Sequence, residues 1–240
     1  MKAIVIWQEK VLKALAGRTD NYCLGGGTAL LIVYFHHRLS FDLDFFTSDF
    51  NRVEIISLMK FVSDALKKKI SLVREQPDKS KVRVMVFSAV LSKTQSLKID
   101  FIEDYIKRLK PARMVDGIRV FSLEDIFLRK IYAVSGVAEL EDITGRIISI
   151  GGRQEAKDFF DLYFLSHTFM NLSNFAFKYC NISIQEALIR WFRTYSRMDI
   201  KTGLLELKTK NKVDYKEMES HFKQETGRLL EKQIGRLEKL

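Results

Sequence analysis

Cysteine is scarce. Only Cys23 and Cys180 occur in 240 residues, which excludes a disulfide framework and points to a reducing compartment, with both thiols packed as small apolar side chains. Proline is scarcer relative to its usual share, two residues against eighteen phenylalanines, so the chain has few rigid linkers. No apolar run approaches the roughly 18 residues of a membrane-spanning helix. The start, Met1-Lys-Ala-Ile-Val-Ile-Trp7, lacks a full signal-peptide stretch. These absences predict a cytoplasmic globular protein with no membrane partner. No internal repeat and no low-complexity segment is visible. Acid is the scarcer charge, 30 Asp and Glu against 40 Lys and Arg, for a net charge of +10. A basic excess favours a polyanionic partner, and ordinary solubility charge is the alternative.

What is present suffices for a core. At 47% hydrophobic residues, the length suits one large domain or two small ones. Apolar spacing predicts a helix over Ile4–Ala16, a short strand at Tyr22–Leu24, and a helix from Thr28 to His36 with the Thr28 hydroxyl as its cap. A strand over Phe41–Phe46 and an amphipathic helix over Val53–Lys69 follow. Strands are expected at Ile70–Arg74, Val82–Val90, Ser96–Ile102 and Ile118–Phe121, with a turn at Pro77–Ser80. Beyond Ser122 the pattern is helical. Ser122–Asp125 and Ser183–Glu186 read as capping boxes, the second heading a helix over Ala187–Tyr195. Gly151-Gly152 breaks the chain before a helix over Arg153–Ser166, the stretch Ala138–Gly152 is irregular, and a charged helix runs from about Asp214 to Leu240. The outline is an α+β chain: a mixed sheet flanked by helices in residues 1–121, and a helical region in residues 122–240.

Two features carry chemistry. The triplet Gly25-Gly26-Gly27 before Thr28 lets backbone approach a phosphate closely at a helix start. It is neither a Walker loop nor a dinucleotide fingerprint, and a purely structural turn is the alternative. Asp42 and Asp44 stand two apart between apolar neighbours, so in a strand both carboxylates share one face. Asp100 lies in a third apolar run, Leu97–Ile102, where an acid is costly unless an ion or hydrogen bonds compensate it. Such acids suit hard divalent cations, which in two-metal sites lie roughly 3.5–4 Å apart. A strand end at the surface is the alternative for Asp100.

The run Gly25-Gly-Gly-Thr-Ala-Leu30, then Arg38-x-Ser40-x-Asp42-x-Asp44, then Asp100 in an apolar strand, resembles the nucleotidyltransferase superfamily of the DNA-polymerase-beta type. Within it the wording resembles the AbiEii/AbiGii toxin family. Ser122–Lys130 resembles that family's lysine-bearing helix, and Lys157-Asp158-Phe-Phe-Asp161-Leu-Tyr163 resembles its Lys/Arg-Asp-x-x-Asp-Leu motif.

The resemblance implies a metal-dependent nucleotidyltransferase that moves a nucleotide from a nucleoside triphosphate to a hydroxyl. The acceptor implied is RNA, in particular the 3′ end of a transfer RNA, in a toxin–antitoxin or phage-defence setting with a cognate antitoxin. A small-molecule acceptor, or a non-catalytic RNA- or antitoxin-binding module, are the alternatives. Gly26, Gly27 and Thr28 would hold the triphosphate, with Arg38 and Ser40 on its phosphates. Asp42, Asp44 and Asp100 would bind Mg2+ or Mn2+, Asp100 completing the set or activating the acceptor hydroxyl. Lys130 would contact the nucleotide and Asp158 would position Lys130, the base or the acceptor. Read from the residues alone, Arg38 could equally bridge a backbone carbonyl. Lys130, at helical spacing from Ile126, Phe127 and Val134, must snorkel or meet an anion, and Asp161 could be a surface acid. His36 and His37 read as helix-end cations and the phenylalanines near 159–177 as core.

Overall fold

Alternation at period two sorts the central strands into an apolar and a polar face. The computed structural model of the chain describes residues 2–78, 81–93, 95–136, 139–141, 147–149, 152–210 and 212–238. It divides into two compact units, Met1–Asp125 and Ile126–Leu240.

The first unit holds α1 (Lys2–Leu15), β1 (Cys23–Leu24), α2 (Gly26–Ala29), β2 (Asp42–Thr47), α3 (Arg52–Leu66), β3 (Ile70–Gln76), β4 (Val84–Val90), β5 (Ser96–Glu103), β6 (Arg113–Val115) and β7 (Ile118–Val120). The strands form one mixed sheet in the order β3-β4-β5-β2-β1-β7-β6. β2 runs parallel to β5 and β1 parallel to β7, while the other pairs are antiparallel. Leu43 and Phe45 of β2 align with Ile99 and Phe101 of β5, and all four are fully buried. Phe101 stacks on Phe45 with centroids 5.4 Å apart and meets Tyr22 edge-on at 5.3 Å. Removing these side chains from water is the main force holding the sheet to its helices. α1 packs on β5, α3 packs on β3, and the two helices pack on each other. Asn51 starts α3 by accepting from the amides of Val53 and Glu54 at 3.1 and 3.2 Å.

Two local expectations change. α2 begins at Gly26, not Thr28, and continues as a π-helical turn over Leu30–Phe35 that ends at His36 in the left-handed region, φ 54°. Its cap position is Gly25, without a side-chain bond. The Thr28 hydroxyl is drawn away by a stronger demand, the carbonyl of Asp42. The edge strand β6 was not expected. It pairs with β7 through Asp116 and Gly117, at φ 48° and 77°, the two consecutive positive φ values of a tight hairpin turn.

Ser122 caps the next helix, α4 (Leu123–Ser135). Its Oγ accepts from the Asp125 amide at 3.1 Å and donates to Asp125 Oδ2 at 2.8 Å. The buried Asp125 carboxylate also accepts from the amides of Leu109 at 2.8 Å and Lys110 at 3.2 Å. The serine half of the capping box therefore forms, while the Asp125 carboxylate is taken up by the Ser122 hydroxyl and the amides of Leu109 and Lys110.

The second unit holds most of α4, the antiparallel pair β8 (Glu139–Glu141) and β9 (Ile147–Ser149), α5 (Ala156–Thr168), α6 (Leu172–Tyr179), α7 (Ile182–Thr194), α8 (Arg197–Glu206) and α9 (Tyr215–Leu237). Aromatic rings fill its interior. Phe127 stacks on Phe175 at 4.3 Å, and Phe159 meets Phe222 at 4.6 Å and Tyr195 at 5.3 Å. The second capping box is displaced: Asn181, not Ser183, caps α7 by accepting from the Ile184 amide at 2.9 Å, so the helix starts five residues before Ala187. Lys79 and Ser80 of the expected turn, Gly151, much of the 138–152 stretch and the final two residues of the tail lie outside the described residues. No helix among the described residues is long and apolar enough to cross a membrane.

Candidate active site

The polar face of the sheet gathers the acids. In the β2–β5 register Asp44 is the direct partner of Asp100, and Asp42 is the partner of Lys98. Side chains two apart share a face, so Asp42, Asp44, Lys98 and Asp100 form one patch, opposite the face buried by Leu43, Phe45, Ile99 and Phe101. Asp100 is buried, while Asp42 and Asp44 are partly exposed. Asp100 therefore lies on the same surface as its two companions.

The glycine turn is pressed against this patch. Gly26 sits at φ +65°, and a Cβ there would collide with the Asp44 carboxylate. A Cβ on Gly27 would run into the Arg38 guanidinium and meet Ser40 Oγ at 3.0 Å. The amide of Gly25 donates to the Asp44 carbonyl at 2.9 Å. Close backbone approach is thus used twice, once for an acid and once for a cation. Arg38 is buried, with Nη1 donating to the carbonyl of Leu39 at 3.0 Å, the kind of carbonyl bridge that stood as its alternative reading. His37 is buried as well.

Gln8, which nothing in the motifs marks, fixes this geometry from α1. It is fully buried, and its Nε2 donates to the carbonyls of Ser40 at 3.0 Å and Asp42 at 3.3 Å. With the Thr28 hydroxyl on the same Asp42 carbonyl, two elements hold the start of β2.

Lys98 is the other unanticipated member. Its Nζ is bonded to Asp100 Oδ2, and its side chain is 46% exposed. Burial of the stem pulls the ammonium pKa down. The hydrogen bond to Asp100 and the charges of Asp100, Asp42 and Asp44 outweigh it, and the pKa is raised. Three carboxylates are a hard-oxygen donor set of the kind that suits Mg2+ or Mn2+. Among the described residues no group of three His, Cys, Asp or Glu side chains is gathered closely enough to hold an ion. The Lys98 ammonium stands where one positive charge is needed. The donors fit a divalent cation in chemistry and share one face in register, with Lys98 bonded to one of them.

The second unit assembles a separate cluster. Lys130 on α4 is 6% exposed. Its Nζ lies 2.6 Å from Asp158 Oδ1 and 2.7 Å from Asp161 Oδ2, both fully buried on α5. Asp161, which could have been a surface acid, is core. Lys130 meets anions rather than snorkelling to water. Arg153, half exposed, reaches Asp158 Oδ2 at 3.3 Å. Burial would raise the Asp158 pKa, but the charges of Lys130 and Arg153 hold it below the usual carboxylate range.

The fold has solved relatives. The chain is similar to JHP933 from Helicobacter pylori, at 20% identity and a TM-score of 0.55 over 98% of this chain and 94% of that one. It is similar to a second H. pylori structure, of a protein provisionally named a nucleotidyltransferase, at 19% identity and a TM-score of 0.54 over 95% of each chain. No curated protein sequence matches it. The family model described as nucleotidyl transferase AbiEii toxin, type IV toxin–antitoxin system, matches residues 10–237, a span that includes both the acid patch and the lysine cluster. The chain belongs to that family of nucleotidyltransferase toxins.

Proposed function

We propose that the protein moves a nucleoside monophosphate from a nucleoside triphosphate to a hydroxyl of RNA, the 3′ end of a transfer RNA being the expected acceptor. It would do so in the cytoplasm as the toxin partnered by a cognate antitoxin. The observation that carries this reading is the register of β2 and β5, which aligns Asp42, Asp44 and Asp100 on one face with Gly26 against Asp44. The net charge of +10 supports a polyanionic acceptor.

Asp42, Asp44 and Asp100 would hold Mg2+ or Mn2+, which when bound neutralises charge at the alpha phosphate and activates the attacking oxygen. Gly26 and Gly27, whose missing side chains let the Asp44 carboxylate and the Arg38 guanidinium lie against the helix start, are assigned to hold the triphosphate through the backbone there. Thr28 serves by fixing the Asp42 backbone, and Arg38 and Ser40, gathered at Gly27, are assigned to phosphate oxygens. Lys130 is assigned to the nucleotide and Asp158 to placing Lys130, a role supported by their 2.6 Å ion pair. In the reaction the acceptor oxygen bonds to the alpha phosphorus, the bond from that phosphorus to the bridging oxygen breaks, and pyrophosphate leaves. Asp100 takes the hydroxyl proton.

The test is to incubate the protein, beside Asp44→Asn, with Mg2+, each alpha-labelled nucleoside triphosphate and total RNA. Label entering RNA with the parent alone is the expected result. No label with any nucleotide, alongside RNA binding that ignores Mg2+, would make the chain a binding module. Label on an aminoglycoside but not on RNA would make the acceptor a small molecule.

A further inference from the structure

The acid patch contains its own cation, and no role assigned so far uses it. Lys98 lies directly across from Asp42 in the strand register and two residues before Asp100, on the same face as all three acids. Its ammonium is bonded to Asp100 Oδ2. The patch thus carries three carboxylates and one ammonium. A divalent cation that used Asp100 would have to displace the ammonium, because both are drawn to the same oxygens and repel each other. A nucleoside triphosphate changes that balance. Its phosphates are an alternative anion for Lys98, whose stem is flexible and whose side chain is 46% exposed.

We propose that Lys98 is a positioning residue that occupies Asp100 in the nucleotide-free protein, so that the divalent cation is taken up together with the nucleoside triphosphate and not before it. This inference rests on the nucleotidyltransferase reading of the same site. In the loaded state Lys98 turns to the triphosphate and Asp100 joins Asp42 and Asp44. Free divalent ion is then kept out of a patch that would otherwise hold it without substrate.

The experiment is a Mn2+ titration of the full chain by electron paramagnetic resonance, with and without an α,β-methylene nucleoside triphosphate. It compares the parent protein, Lys98→Met, Lys98→Arg and Asp44→Asn, each checked for an unchanged melting temperature. Without nucleotide, Lys98→Met is expected to bind Mn2+ roughly ten-fold more tightly than the parent, about 1.4 kcal/mol, and Lys98→Arg is expected to match the parent. With nucleotide present the gain of Lys98→Met shrinks or reverses. A gain in affinity on deleting a side chain is not something loss of packing would produce. The inference is overturned if Lys98→Met binds nucleotide-free Mn2+ no more tightly than the parent, or if Lys98→Arg behaves as Lys98→Met, while Asp44-dependent Mn2+ uptake with nucleotide persists. If Mn2+ uptake with nucleotide is the same in the parent and Asp44→Asn, the underlying assignment of the acid patch fails and this inference fails with it.

Discussion

Replacing Lys130 by Met removes the shared cation of two fully buried carboxylates. Asp158 and Asp161 lie 2.6 and 2.7 Å from its Nζ, and a second cation, Arg153, reaches Asp158 from 3.3 Å with half its side chain in water. A buried charge stripped of its partner costs roughly 3–5 kcal/mol. With a urea dependence of about 2 kcal/mol per molar, the transition of Lys130→Met at pH 7 should move down by roughly 1.5–2.5 M. The pH dependence follows from the carboxyl of Asp158, whose pKa is lowered from its ordinary 3.8 in the native protein. A depressed carboxyl contributes stability that is complete above 3.8 and is lost as pH falls through the lower native value. In Lys130→Met that contribution is largely gone, so the gap between parent and variant should narrow as pH drops below 4. Adding Asp158→Asn and Asp161→Asn to Lys130→Met should recover much of the loss, because the uncompensated charges leave with the ammonium. A loss below about 1 kcal/mol for Lys130→Met, or no recovery in the triple variant, would refute the reading that Lys130 compensates both buried carboxylates.

Four further outcomes follow from the first unit. Gly26→Ala forces a side chain into the left-handed region and onto the Asp44 carboxylate, so nucleotidyl transfer should fall by roughly 100-fold while the melting transition falls modestly. Thr28→Val removes a hydroxyl bonded to the Asp42 carbonyl, and should cost about 1–3 kcal/mol in urea unfolding. Gln8→Leu should weaken nucleotide binding, read by calorimetry, although Gln8 lies on a helix with no motif, because the carbonyls of Ser40 and Asp42 lose a donor. The hydrogen bond from Arg83, burial notwithstanding, together with the hydroxyl of Tyr105, holds the Glu103 pKa down at about 2, against an ordinary 4.5. Its stabilising share is complete above 4.5 and lost toward 2, so Glu103→Gln should flatten acid unfolding monitored by circular dichroism across that window.

Much of this was legible because the chemistry repeats at the period of the backbone. Asp42 and Asp44 share a face by their spacing alone, and Asp100 stood out as an acid in an apolar run. What went unread has physical reasons. Lys98 obeys the same period-two rule as Asp100, yet an exposed lysine beside a strand acid reads as ordinary solvation until the register is known. Gln8 sits on a helix stripe with Ile4, Val11 and Leu15, a polar side chain among apolar ones. Its partners are carbonyls more than thirty residues away, and no local pattern announces them. Asp161 is one turn beyond Asp158, and a charged neighbourhood around Lys157 masked its burial. β6 is three residues long, too short for any periodicity, although Asp116-Gly117 is a strong hairpin signal. Thr28 shows the opposite failure: a good capping residue was claimed by a distant carbonyl, because tertiary demand overrode local preference.

The carboxylate of Asp125 ties the amides of Leu109 and Lys110 to the first turn of α4. One side chain therefore fastens a basic stretch bearing Lys107 and Arg108, after each of which trypsin can cleave, whereas Lys110 precedes Pro111 and is resistant. Any weakening of these bonds releases a segment a protease can thread, so the rate of tryptic nicking after Lys107 and Arg108 reports how firmly Asp125 holds the amides of Leu109 and Lys110.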